Sequence, residues 1–177
     1  MASMETTGDD AVPLETIIPT LAGLMSRTAH EGGLSSGELA ELRRWRYGGT
    51  VPATAWRLLA QYVDSKAKLR PEGEERWFAV LSGMAHMAPH PHNKGFEAAP
   101  GRILAAHGFS ENRFIKLIDS QDQAFFDAVA RTCRYLRAKG VAMDWGRFAP
   151  LVLAQDPQRA DHHRRLMARD YFSHKPQ

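Results

Sequence analysis

Apolar residues recur along the chain at three- and four-residue intervals, the period of a helix with one buried stripe, and Gly and Pro interrupt that rhythm. Leu14, Ile17, Ile18, Leu21, Leu24 and Met25 make the first stripe, over 14–27. Pro19 lies inside it, so either the helix starts there with Pro in its first turn, or the helix is kinked. Ser35, followed three residues on by Glu38, reads as a capping box for a helix that reaches about Arg46 and stops at Gly48-Gly49. Pro52 opens the next helix, through Trp56, Leu59 and Val63. Arg70-Pro71-Glu72-Gly73 reads as a turn ahead of an apolar helix over 74–87. Five more helices follow, over 101–107, 110–118, 123–139, 144–154 and 159–172, with Ser110 and Asp144 as caps and Gly140 as a C-terminal stop.

No window alternates β-branched and polar residues with period two, so the pattern predicts an all-α fold. It implies a compact protein of about eight to nine helices, with two small bundles as one arrangement. Residues 1–13 read as a disordered tail. The stretch 88–99, with two prolines and a glycine and a third proline just after it, divides a helical subdomain over 14–95 from a basic helical subdomain over 96–177.

Composition narrows the class. At 177 residues with 44% hydrophobic content, one domain or two small subdomains can form a core. The apolar runs fall far short of the ~18–20 residues that a membrane span needs. The acidic start lacks the basic and apolar regions of a secretory signal, so the chain reads as soluble and cytoplasmic. Cys133, the single cysteine, excludes an internal disulfide and a cysteine-based zinc site. Charge is uneven: residues 1–100 hold 10 basic and 12 acidic side chains, residues 101–177 hold 13 and 8. That excess points to an anionic partner met by one face. Arginine outnumbers lysine, and its planar guanidinium suits bidentate phosphate contacts.

Catalytic patterns are missing. His86, His90 and His92 crowd together, but Pro89 and Pro91 break the helix that would align them, and the stretch holds no carboxylate, so it reads as a solvated loop. No nucleophile elbow, Walker loop or dinucleotide glycine pattern occurs. Cys133 lies on the apolar side of the 123–139 helix and reads as a small buried hydrophobe. The chain is therefore expected to be no enzyme and to need no cofactor and no metal.

The basic residues are better organised. Winding 123–139 at about 100° per residue gathers Phe125, Phe126, Val129, Cys133 and Leu136 on one side. Arg131 and Arg134 fall opposite, with Arg137 on the shoulder. Asp127 offers Arg131 a partner at i−4, leaving Arg134, Arg137 and Lys139 without an obvious acid. On the last helix His162, Arg165 and Arg169 share a stripe, while Arg113 and Lys116 flank the apolar Phe114, Ile115, Leu117 and Ile118. Arg43, Arg44 and Arg46 form the dense basic cluster of the first half. No base-reading module is visible, so any nucleic-acid binding should favour backbone and shape. A helical module whose basic face meets an acidic protein, and a metalloenzyme built on the three clustered histidines, are the competing classes.

Five segments in order resemble the CasB family, the small subunit of the type I-E CRISPR Cascade complex. They are Gly37 through Arg43-Arg44; the helix begun by Pro52 with Trp56; Gly101-Arg-Ile-Leu followed by Ser110 through Ile118; Phe126 through Gly140 to Asp144-Trp145; and Arg165 through Tyr171-Phe172. Met167 stands where that family usually has Trp, and 88–99 has no counterpart there. The resemblance spans roughly 34–172. It implies a non-catalytic subunit, two copies per complex, that contacts the other Cascade subunits. Such a subunit helps hold the CRISPR RNA–target DNA heteroduplex and the displaced strand through backbone contacts. The cations expected to do so are Arg43, Arg44, Arg113, Lys116, Arg131, Arg134, Arg137, Arg165 and Arg169. Trp45, Trp56, Trp145 and Tyr171 are assigned to packing.

Overall fold

The computed structural model of the chain describes residues 13–66 and 69–175. Among them the fold is all-α: α1 (Leu14–Ser26), α2 (Ser36–Arg44), α3 (Ala53–Leu58), α4 (Pro71–Met87), α5 (Pro100–Ala106), α6 (Glu111–Asp119), α7 (Asp122–Ala138), α8 (Trp145–Leu153) and α9 (Pro157–His174). A 3-10 turn (Ala29–Glu31) follows α1, and a π-turn (Leu59–Val63) extends α3. Apart from Pro13, which precedes α1, the predicted tail lies outside the described residues.

The local signals act as their chemistry requires. Pro19 sits inside a continuous α1 rather than at its start. Ser35 Oγ accepts from the Glu38 amide at 3.2 Å, and the Glu38 carboxylate accepts from the Ser35 amide at 2.8 Å, completing the capping box. The bond from the Ser35 amide is also the main cause of the lowered Glu38 pKa. Ser35→Ala should cost about 1 kcal/mol and lower the melting temperature by about 3 °C in a calorimetric scan. An unchanged melting temperature would show that the box carries no weight here. Gly140 takes φ +68° just beyond α7, where a side chain would be strained.

Two expectations change. Pro71-Glu72-Gly73 is not a turn but the first turn of α4: Pro fits the N1 position, where no amide bond is lost, and Glu72 and Glu74 complement the helix dipole. The last helix starts at Pro157, because Asp156 Oδ1 accepts from the amides of Gln158 and Arg159 at 2.7 and 3.0 Å.

The hub is α4. From Trp77 to Met87 every residue is buried, as expected of a helix that is apolar or small on all sides. It packs on α1 and α2 from the first half and on α7 and α8 from the second, so one buried cluster runs from Ile17 to Tyr171. A Cβ on Gly83 would stand 2.5 Å from the Trp145 ring and 3.3 Å from Cys133 Sγ, so this position lets α4, α7 and α8 meet closely. Helix α9 lies along α5. Tyr171 stacks on Phe114 with ring centres 3.9 Å apart and donates its hydroxyl to Phe109 O at 2.5 Å, tying α9 to α6. Trp45, Trp145 and Tyr171 are buried; Trp56 is 46% exposed, with its ring edge against Phe78.

The stretch 88–99 is clamped to the segment that leads into α8. The Asn93 amide donates to Met143 O, the Asp144 amide to Ala98 O, and the Gly95 amide to Asp144 Oδ2. His92 Nδ1 accepts from the Trp145 amide at 3.1 Å. Asp144 stands at the start of α8, but its carboxylate serves this clamp and Arg147 rather than the α8 amides.

Candidate nucleic-acid interface

Helices α6 and α7 pack side by side and leave a groove of about 370 Å³ between them. Arg113 and Lys116 come from α6, Arg131 and Arg134 from α7, and all four are exposed around it. They point this way because Phe114 and Leu117 of α6, and Val129, Cys133 and Leu136 of α7, take the opposite sides into the core. Among the described residues none of the four cations makes an ion pair; Asp127 does not bridge to Arg131. Phe109, Ala128, Thr132 and Tyr135 form the floor. Tyr135 is tied down by its hydroxyl, which donates to His107 O at 2.7 Å, and its ring meets the edge of Phe109 at 5.0 Å. The Arg113 guanidinium and the Lys139 ammonium lie 5.8 and 5.5 Å from the centre of the Tyr135 ring.

The next two predicted cations gather at the C-terminal end of α4. Arg43 Nε donates to Ala85 O at 2.8 Å, and Arg137 donates to Ala88 O. A helix ends in unpaired carbonyls with a partial negative charge, so guanidinium groups are held there by bonds and by the dipole. Burial, followed by the charge of Arg137, pulls the Arg43 pKa below its ordinary value. Arg46, the third arginine of that cluster, donates to the carbonyls of Arg43 and Trp45. Two basic groups some ninety residues apart in sequence thus meet over one helix end.

His86 sits beneath them. It is 8% exposed and lies on α4, not in a solvated loop: Pro89 follows the helix end at Met87 rather than breaking it earlier. Burial, then repulsion from Arg134, Arg43 and Arg46, pushes its pKa down to about 4. His90 is exposed, and His92 belongs to the clamp described above. No group of three or more His, Cys, Asp or Glu among the described residues is placed to hold a metal ion. Cys133 is fully buried, and burial pushes its thiol pKa well up, away from nucleophilic use.

The remaining predicted cations stand apart from the groove. Arg44 is exposed on α2, its Nε bonded to Ala40 O. Arg165 pairs with Asp161 at 2.6 Å, both well exposed, while Arg169 is exposed two turns from the start of that stripe. No helix among the described residues is long and apolar enough to cross a membrane.

A family model described as CRISPR-associated protein Cse2 matches residues 38–172. In solved structures the chain is similar to one in the crystal structure of E. coli Cascade bound to a PAM-containing double-stranded DNA target. That match has 18% sequence identity and a TM-score of 0.65, covering 88% of this chain and 94% of the other. At that identity the likeness speaks for the fold. No curated protein matches the chain.

Proposed function

Because the chain belongs to the CRISPR-associated Cse2 family, the same family as CasB, we propose that it is the non-catalytic small subunit of a type I-E Cascade complex. In that role it holds CRISPR RNA–target DNA heteroduplex and the displaced strand by their backbones, alongside the other Cascade subunits and a second copy of itself. The observation that carries the reading is the row of cations without acid partners. Arg43 and Arg137 meet at the end of α4, Arg134 lies close enough to act on the same His86, and Arg134, Arg131, Arg113 and Lys116 surround the groove, with Arg44 apart on α2. The 14–95 segment supplies the first part of the row and 96–177 the rest. Base pairing in such an assembly is nearly balanced in energy, so uniform contacts to phosphate can tip it without reading sequence. Arg165, already paired with Asp161, has a smaller share in this reading.

A salt titration tests it. The chain should bind DNA and RNA at low salt with little sequence preference, and log affinity should fall linearly with log salt. Arg131→Ala combined with Arg134→Ala should reduce that slope by about 1.5 while circular dichroism stays unchanged. A slope equal to the wild type would remove these two residues from the interface. Co-expression with the other Cascade subunits and a CRISPR RNA tests the assembly: the expected particle holds two copies, and exclusion from it would sink the assignment.

A further inference from the structure

Resting on the nucleic-acid reading above, we propose that the α6–α7 groove seats a single unpaired nucleobase, so that this face takes a single strand in preference to a duplex. A duplex keeps its bases stacked inside and offers a protein its phosphates and groove edges, for which a flat basic surface is enough. Here the surface is not flat. The groove has a volume of about 370 Å³, with an uncharged floor dominated by Phe109, Ala128 and Tyr135 and four cations around its rim. Duplex phosphates could bridge the rim cations but would leave the floor empty.

A single strand satisfies both parts at once. Its phosphates reach Arg113, Lys116, Arg131 and Arg134, while a base turned out of the stack covers the apolar floor. Arginine planes and aromatic rings are the usual platforms for such bases, and the groove has three of the former and the half-buried ring of Tyr135, with Phe109 buried behind it. The recess also survives without a ligand, because the Tyr135 hydroxyl is bonded to His107 O and its ring is braced against Phe109. The floor presents no charged group, and its side-chain donors are the Thr132 and Tyr135 hydroxyls. Both are already donated, to Ala128 O at 2.9 Å and to His107 O at 2.7 Å, so neither has a proton left with which to read a base. Elsewhere on the surface Arg57, Arg102, Arg147 and Arg165 are neutralised by carboxylates; at this rim none is.

The test compares two oligonucleotides of equal length and phosphate count, one of thymidines and one abasic, by fluorescence anisotropy on the full chain at low salt. The thymidine strand should bind about tenfold more tightly, the loss expected when one stacked base is removed. A strand carrying 2-aminopurine should lose fluorescence on binding as its base stacks. Tyr135→Leu should bring the thymidine-to-abasic ratio toward one, and Tyr135→Phe, which keeps the ring, should retain most of it. Equal binding of intact and abasic strands by the wild type, with salt dependence retained, would overturn the base seat and leave the phosphate-binding role standing. Tighter capture of an acidic tyrosine-containing peptide than of the thymidine strand would also overturn it. Failure of the wild type to bind any oligonucleotide at low salt would bring down the broader reading as well.

Discussion

Gly101→Ala is expected to destabilise the protein by about 3 kcal/mol or more, lowering the melting temperature by roughly 6 to 12 °C. In most helices the change would help, since alanine favours the helix by about 1 kcal/mol over glycine. At Gly101 a Cβ would stand 2.1 Å from Met167 O, 2.8 Å from Tyr171 N and 2.9 Å from Asp170 Cβ. The first two are backbone atoms of α9, so no rotamer change relieves the clash. The helix must move away from α5, loosening its contact with Tyr171, which stacks on Phe114 and bonds to Phe109 O. Gly37→Ala is the control: its nearest atom beyond its neighbours is Ser35 Oγ at 3.9 Å, an ordinary contact, and it should leave stability unchanged or slightly raised. If calorimetry finds the two variants equally stable, α9 is free to shift and the close approach carries no energy.

Acid should unfold this protein earlier than its carboxylates alone would predict. The His86 pKa is pushed down from 6.5 to about 4 by burial and by the neighbouring arginines. In the folded protein the ring stays neutral, whereas in the unfolded chain it takes up a proton once pH falls below 6.5. Stability from this group is therefore fully present above pH 6.5 and drains away as pH falls toward 4, to a total of about 3 kcal/mol. Urea titrations at pH 7.5 and 4.5 should show the wild type losing more stability than His86→Leu over that interval. Equal losses in the two proteins would mean that His86 takes up its proton without cost in the native state.

How much of this was legible in the residues depends on what each statement required. The stripes of α1 and α7 were visible because burial on one face needs only a period, and the Ser35–Glu38 box because it closes within three residues. Placing Arg131 and Arg134 on the side of α7 away from its apolar sector needed only the helical winding angle. The groove needed more: winding gives the direction of each cation about its own axis, but not that α6 lies beside α7 and turns Arg113 and Lys116 toward the same recess. Phe109 and Tyr135 carried no signal of their own, being ordinary apolar positions until two helices framed them. Arg137 was placed on the shoulder of α7, but its partner, Ala88 O, is a backbone atom that no side-chain pattern announces. At His86 two local signals compete: the apolar period carries a helix to Met87, while prolines three and five residues downstream suggest a loop, and the helix ends just before the first of them.

The carbonyls at the end of α4 have a further effect on the basic row. An unrestrained arginine side chain carries about 2 kcal/mol of rotamer entropy, which an incoming anion must remove in order to be held. Arg43 and Arg137 have already surrendered part of that freedom to Ala85 O and Ala88 O. Their charge therefore stands in place before any ligand arrives, while Lys116, Arg131 and Arg134 are exposed at the rim and make no such bond among the described residues. In the proposed role the surface would pair a fixed anchor with an adaptable lip, suited to a regular backbone at one end and an irregular one at the other.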